Sequence, residues 1–214
     1  MSMKAPGLAL IAAAAACASA PPPSPPVTSL AGKACGPAVS VADAVSAAPE
    51  KPKAHHAVTA TLDASSPCAT EGEGAAPFNY VVFALPTDTP AHLATVGARR
   101  EALRVVPPRV SILDEAGTAR SVMTSEEARN VGSVLGFQIA LRPQDRYVVI
   151  ASDPAGVGAA RSRVETGIAR GTGGMMVGTT YASYSTMHGV DAATNRTGSH
   201  EGTVVLTLDW PRED

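Results

Sequence analysis

His188, Asp191, His200 and Glu201 stand close together near the carboxyl end of the chain. Imidazole and carboxylate are the ligands of a zinc or first-row metal site, and also the acid and base of hydrolytic chemistry. These four share no metal-binding spacing such as HExxH, so ordinary loop polarity fits them better than a metal centre. His55-His56 is the densest histidine pair, but it follows "PEKPKA" and no carboxylate comes close behind. The adjacent pairs Asp114-Glu115 and Glu126-Glu127 do not suit glycoside hydrolysis, which needs two facing carboxyls about 5–9 Å apart. No G-x-S-x-G elbow or S-x-x-K pair is present, so the serine-nucleophile templates fail. "GTGGMMVG" lacks both the G-K-[ST] ending of a phosphate loop and the G-x-G-x-x-G spacing. The sequence therefore predicts no catalytic residue, no metal and no cofactor. Tyr181 and Tyr184 are the candidates for contact with a ligand, although a tyrosine in a β-rich domain is commonly a core-edge residue.

The clearest chemical signal lies at the other end. Residues 1–16 read as an export leader, with Lys4 as the basic start, an apolar stretch from Leu8 to Ala16, and small residues at its close. At about 1.5 Å per residue, that stretch is too short to cross a bilayer core of about 30 Å. Ala14-Ala15-Ala16-Cys17 resembles the lipobox of bacterial lipoproteins, with alanine where leucine is usual. The resemblance implies cleavage before Cys17 and lipidation of its sulfur. Ordinary leader cleavage, after Ala18 or Ala20, is the competing outcome. Residues 17–32 then form a Pro-rich linker, whose tract from Ala18 to Pro26, extended at about 3.1 Å per residue, would hold the domain roughly 25–30 Å from the membrane. Ala18, which is not aspartate, points by the same resemblance to the outer membrane, facing the periplasm. With Cys17 lipidated, Cys35 and Cys68 remain, an even number for an oxidising compartment. A bridge between them would contribute about 4 kcal/mol; two buried free thiols are the alternative.

Composition narrows the partners. A net charge of −2 without a basic run gives no reason to expect nucleic acid. One tryptophan, four tyrosines and three phenylalanines are few for a surface of aromatic stacking platforms.

The elements that must position any site are short strands in residues 33–214. "AVTATLD" sets Val58, Ala60 and Leu62 on one face. "FNYVVFALP" and "RYVVIASD" are apolar on both faces and read as central strands. "ALRVVPP" and "RVSILDEAG" follow the same pattern, the second ending in a turn at Glu115–Gly117. "SVLGFQIALRP" aligns Leu135, Phe137, Ile139 and Leu141, and "TVVLTLDW" aligns Val204, Leu206 and Leu208. Helical signal is confined to a turn or two at Val39–Val45 and at "TSEEARNVG". The predicted fold is mainly β, an antiparallel sandwich with little helix. Residues 167–202, rich in Gly, Ser and Thr, read largely as loop, with a strand face at Met175, Val177, Thr179 and Tyr181.

The order of "LDASSPCATEGEGAAPFNYVVFALP", "PPRVSILDEAG", "FQIALRPQDRYVVIASDP" and "SHEGTVVLTL" resembles the maltose operon periplasmic protein family. That resemblance lies mainly in residues 57–154. It implies an exported β-rich accessory or binding module linked to carbohydrate uptake, with no catalytic residues. The expected partners are the membrane, through the lipid, and an envelope protein or glycan. A structural subunit of an outer-membrane assembly, with the Gly/Thr-rich tail pairing as strands, is the alternative. An enzyme acting on envelope glycans would need the 188–201 residues to converge.

Overall fold

The computed structural model describes residues 22–51, 54–87, 91–177 and 180–210, with the backbone alone described for 163–175, 177 and 180–192. The leader and the lipidation candidate Cys17 lie outside the described residues. The first strands are β1 (Val45–Ser46), β2 (His55–Leu62), β3 (Cys68–Ala69), β4 (Phe78–Ala84) and β5 (Leu93–Arg99). There follow β6 (Arg104–Val105), β7 (Pro108–Leu113), β8 (Ala119–Met123), β9 (Arg129–Val131) and β10 (Val134–Ala140). After β11 (Tyr147–Ser152) and a 3-10 turn at Pro154–Gly156 come β12 (Ala160–Val177), β13 (Thr180–Gly198) and β14 (Gly202–Asp209).

Two sheets make the expected sandwich. One has the order β1-β4-β11-β7-β8, with β3 also on β4, and the other β2-β14-β5-β10-β9. All pairings in them are antiparallel except that of β1 with β4. The inner faces interlock through Phe83, Ile112, Val148 and Ile150 from the first sheet and Leu62, Val96, Leu206 and Leu208 from the second, all with no exposed surface. Period-two alternation puts each of these on the same side of its strand, which is why the sequence pattern predicts them.

The strands that are apolar on both faces have a reason to be so. The outer face of β4 and β11 carries Phe78, Tyr80, Val82, Val149 and Ala151, and a second cluster forms there with Val39, Val41 and Ala44. Both faces of this sheet are therefore covered. The covering segment is not helical: it runs extended and bent and pairs only through β1. Pro37 and Pro49 bracket it, and Gly36 is drawn into a bridge with Ala69, so the chain is committed to strand pairing. The disulfide Cys35–Cys68 forms, with Cα atoms 4.7 Å apart, and secures this cover. The Tyr80 hydroxyl accepts the Ser40 N–H at 3.0 Å and pins it further. "TSEEARNVG" likewise supplies a turn, in which the Glu127 carboxylate accepts the Thr124 N–H at 2.9 Å, and then β9.

The linker assigned to residues 17–32 is docked over its last part. The Val27 N–H donates to Ser199 Oγ at 2.9 Å, the Val27 carbonyl accepts the His200 N–H at 2.8 Å, and Leu30 is buried. The packed domain thus begins several residues ahead of Lys33.

Candidate functional site

The largest departure from expectation is the segment read as loop. Residues 160–198 form a two-stranded antiparallel ribbon with unbroken register from Ala160↔Thr197 to Val177↔Thr180. At about 3.4 Å per residue it is roughly 60 Å long, more than twice the length of any strand in the sandwich. Its glycines are tolerated because the partner strand sets larger residues opposite most of them. Gly167 faces Val190, Gly171 faces Thr186, Gly173 faces Tyr184 and Gly189 faces Ile168. "GTGGMMV" is thus strand, and no phosphate loop exists there.

Among the described residues only the root of the ribbon pairs with a further strand: Thr197 and Gly198 lie parallel to Arg104 and Val105 of β6. Behind the root sits the "DPAGVG" turn, where Asp153 accepts the N–H groups of Ala155 at 3.1 Å and Ser125 at 2.8 Å. Gly198 packs so closely that a Cβ there would overlap the Gly156 carbonyl. Gly198→Ala is expected to cost about 1–3 kcal/mol by overpacking. It should also accelerate amide exchange in β12 and β13; unchanged protection there would show that the root does not hold the ribbon.

A cavity of about 260 Å³ opens at the root, lined by Arg100, Asn130, Leu135, Arg161, Ser162 and Arg196 among others, with no carboxylate among its lining residues. Arg161 and Arg196 are direct cross-strand partners. Arg100 donates to Asn130 Oδ1 at 2.9 Å and to the Gly132 carbonyl at 3.1 Å. Arg161 reaches the Ser125 carbonyl at 3.4 Å, while its Nε is buried with no hydrogen-bond partner. Arg196 donates to the Glu101 carbonyl at 2.6 Å and to Thr194 Oγ1 at 2.8 Å. Among the described residues no ion pair includes any of the three. The nearby Glu101 carboxylate is engaged elsewhere, by Arg104 at 2.7 Å and by the Thr203 N–H and hydroxyl at 2.9 and 3.0 Å. Burial opposes its charge, but these donors outweigh burial and hold its carboxyl below the usual range.

A second polar cluster joins the sheets. The Asn79 side chain, wholly buried, accepts Lys33 Nζ at 2.7 Å and donates to the carbonyls of Asp63 at 3.4 Å and His200 at 3.3 Å. Ser152 Oγ accepts the Asn79 N–H at 3.1 Å and lies 2.9 Å from His200 Nδ1. Serine beside histidine resembles a nucleophile–base pair, yet Ser152 has no exposed surface and its oxygen already serves Asn79. The pair is a structural tie. Burial, then the Lys33 charge, lowers the His200 pKa, and burial likewise lowers that of Lys33 against the pull of Glu201 and Asp63.

The sign of the linkage follows. His200 is neutral in the fold and binds a proton more readily once unfolded, so its contribution is complete above its unfolded pKa of about 6.5. That contribution is lost as pH falls below this value toward the lower folded pKa. We expect Tm to fall from about pH 7 to pH 5, and His200→Asn, which keeps a polar atom near Nδ1, to flatten that slope. An equal slope in the variant would assign the acid sensitivity to other groups.

The residues singled out for chemistry do not converge. His200 is in the buried tie, and Glu201 lies 3.6 Å from Arg104. Asp191 and His188 occupy ribbon positions opposite Thr166 and Ala169, roughly 20 and 30 Å from the root at about 3.4 Å per pair. Among the described residues no three of His, Cys, Asp or Glu could hold a metal ion. His55 does find a carboxylate, Asp209 at 2.6 Å, brought beside it by the pairing of β2 with β14 rather than by the chain. Tyr181 and Tyr184 stand at ribbon positions opposite Met176 and Gly173. The three root arginines escape a search by sequence, since they are spread over nearly a hundred residues and match no motif. The one signal available was the arginine content at the two ends of the segment, Arg161, Arg163 and Arg196. No family model, curated protein or solved structure matches the chain.

Proposed function

We propose that this protein is a non-catalytic envelope lipoprotein, tethered through Cys17 and facing the periplasm, whose sandwich carries the ribbon as a strand-pairing arm for a partner protein of an outer-membrane assembly. The observation that carries the reading is the pair of unguarded ribbon edges. Natural sheets protect an edge with lysines, prolines or bulges. Residues 160–198 contain no lysine or proline, their register has no shift, and from Gly167 to Val190 Arg170 is the only formal charge. An isolated two-stranded hairpin is marginal in water, so an added strand would stabilise this one while supplying main-chain specificity. Met176, 65% exposed near the tip, offers an apolar contact. A protein strand suits the ribbon better than a glycan, because an edge strand offers a row of main-chain donors and acceptors. The disulfide supports an oxidising compartment. The resemblance to the maltose operon periplasmic protein family supports an accessory role, and the link to carbohydrate uptake rests on that alone.

The test is photo-crosslinking in the native envelope from probes placed at Thr172 and Thr186, compared with a probe at the exposed Val122 of β8. Adducts with one envelope protein from the ribbon positions, and none from Val122, are the expected result. Adducts only between copies of this chain would replace the partner with a self-assembly, and adducts from neither ribbon position would refute the arm.

A further inference from the structure

The arginines at the ribbon root are not needed for strand pairing, and as placed they are costly. Like charges directly opposite each other across two strands repel, and Arg161 faces Arg196 in that way. Among the described residues their hydrogen-bond partners are neutral oxygens, as are those of Arg100, and no ion pair offsets the three positive charges. A buried N–H without an acceptor carries a desolvation penalty as well, and Arg161 Nε has none. All three arginines line one cavity of about 260 Å³, together with Asn130 and Ser162. The chain as a whole is slightly acidic, so this concentration of positive charge is local.

We propose that the root cavity is a binding site for a phosphate group, held by Arg100, Arg161 and Arg196. Guanidinium forks match tetrahedral oxyanions with paired charge-assisted hydrogen bonds. A multivalent anion between Arg161 and Arg196 would turn their repulsion into a shared contact and give Arg161 Nε its missing acceptor. A monocarboxylate could satisfy one fork and would leave the other two charges unmatched. The volume admits a phosphate or a phosphomonoester headgroup. The site lies wholly at the root, so it does not depend on whether the ribbon has a protein partner.

The test is calorimetric titration of the purified full-length chain with inorganic phosphate, with sodium chloride at matched ionic strength and sodium acetate as comparisons. Saturable phosphate binding is expected, weakened about tenfold or more in Arg161→Gln and in Arg196→Gln. Arg109→Gln, on an arginine ion-paired to Glu71 elsewhere, should leave it unchanged. Should the ribbon variants fail to fold, Arg100→Gln reports from just beyond β5 instead. Equal heats with chloride would reduce the effect to screening, and acetate binding as tight as phosphate would remove the phosphate assignment; either overturns the proposal. So would retained affinity in every folded arginine variant. Phosphatidylcholine vesicles with and without phosphatidic acid separate the sources. A preference for phosphatidic acid that inorganic phosphate competes away and Arg161→Gln abolishes marks a lipid headgroup. Phosphate binding with no such preference marks a soluble phosphate, and both results support the site.

Discussion

Asn79→Leu should lower the unfolding free energy by about 3 kcal/mol or more, although leucine nearly matches asparagine in volume. The side chain is wholly buried where the first sheet meets the start of β14 and the 27–33 segment. One oxygen accepts Lys33 Nζ at 2.7 Å, and one nitrogen donates to the carbonyls of Asp63 and His200. Leucine leaves the ammonium without its closest acceptor and takes the amide donor from the buried His200 carbonyl, while the Asp63 carbonyl keeps the Ser66 N–H at 3.2 Å. The cost lies in those stranded groups rather than in the lost bonds themselves. Urea denaturation of the variant measures it. Lys33→Met in the same background should recover part of the loss, since it removes the stranded charge, and the double-mutant cycle isolates that coupling. A loss below about 1 kcal/mol would mean that solvent reaches the cluster and replaces the amide.

Replacing both cysteines, as Cys35→Ala/Cys68→Ala, is expected to cost about 3–4 kcal/mol. The bridge closes 33 residues of sequence separation, so it removes much freedom from the unfolded chain. It also acts on a particular surface. Val39, Val41 and Ala44 cover Phe78, Tyr80 and Val82, and the cover is otherwise held by two-residue strands and the Ser40–Tyr80 bond. Loss of the bridge should therefore expose an apolar sheet face as well as lower the denaturation midpoint. Increased binding of a hydrophobic dye before global unfolding reads the first effect, and the shift in midpoint reads the second. A variant with an unchanged midpoint would show that packing alone holds the cover.

Both predictions rest on contacts that sequence patterns render unequally. The inner residues Val96, Leu135, Leu206 and Leu208 are legible because alternation along a strand is local geometry. The apolar character of β4 and β11 on both faces likewise announces two covered faces, but not what covers the second. The sequence expects a turn or two of helix at Val39–Val45, whereas the segment runs extended and bent. The disulfide and the Gly36–Ala69 bridge override that weak helical period and hold the segment extended.

The ribbon shows the limit most clearly. Glycine and serine are poor strand formers on their own, so residues 167–202 read as loop. Their pairing depends on which residue of the returning strand stands opposite, and that register exists only once the hairpin has closed. Asn79 is equally silent: an asparagine in an apolar strand gives no sign that a lysine 46 positions earlier will seek it.

By itself, then, the chain determined its strand-rich class, the faces that meet in the core and the pair of cysteines available to bridge. These follow from two-residue periodicity and from counting, both of which are local. Tertiary structure alone decided that a polar tail became a 60 Å-scale ribbon, roughly, and that Arg161 came to face Arg196 beside Arg100. It decided equally that His188 and Asp191 stand apart from His200 and Glu201. Register and sheet order place residues from distant parts of the chain, and no local pattern carries that information.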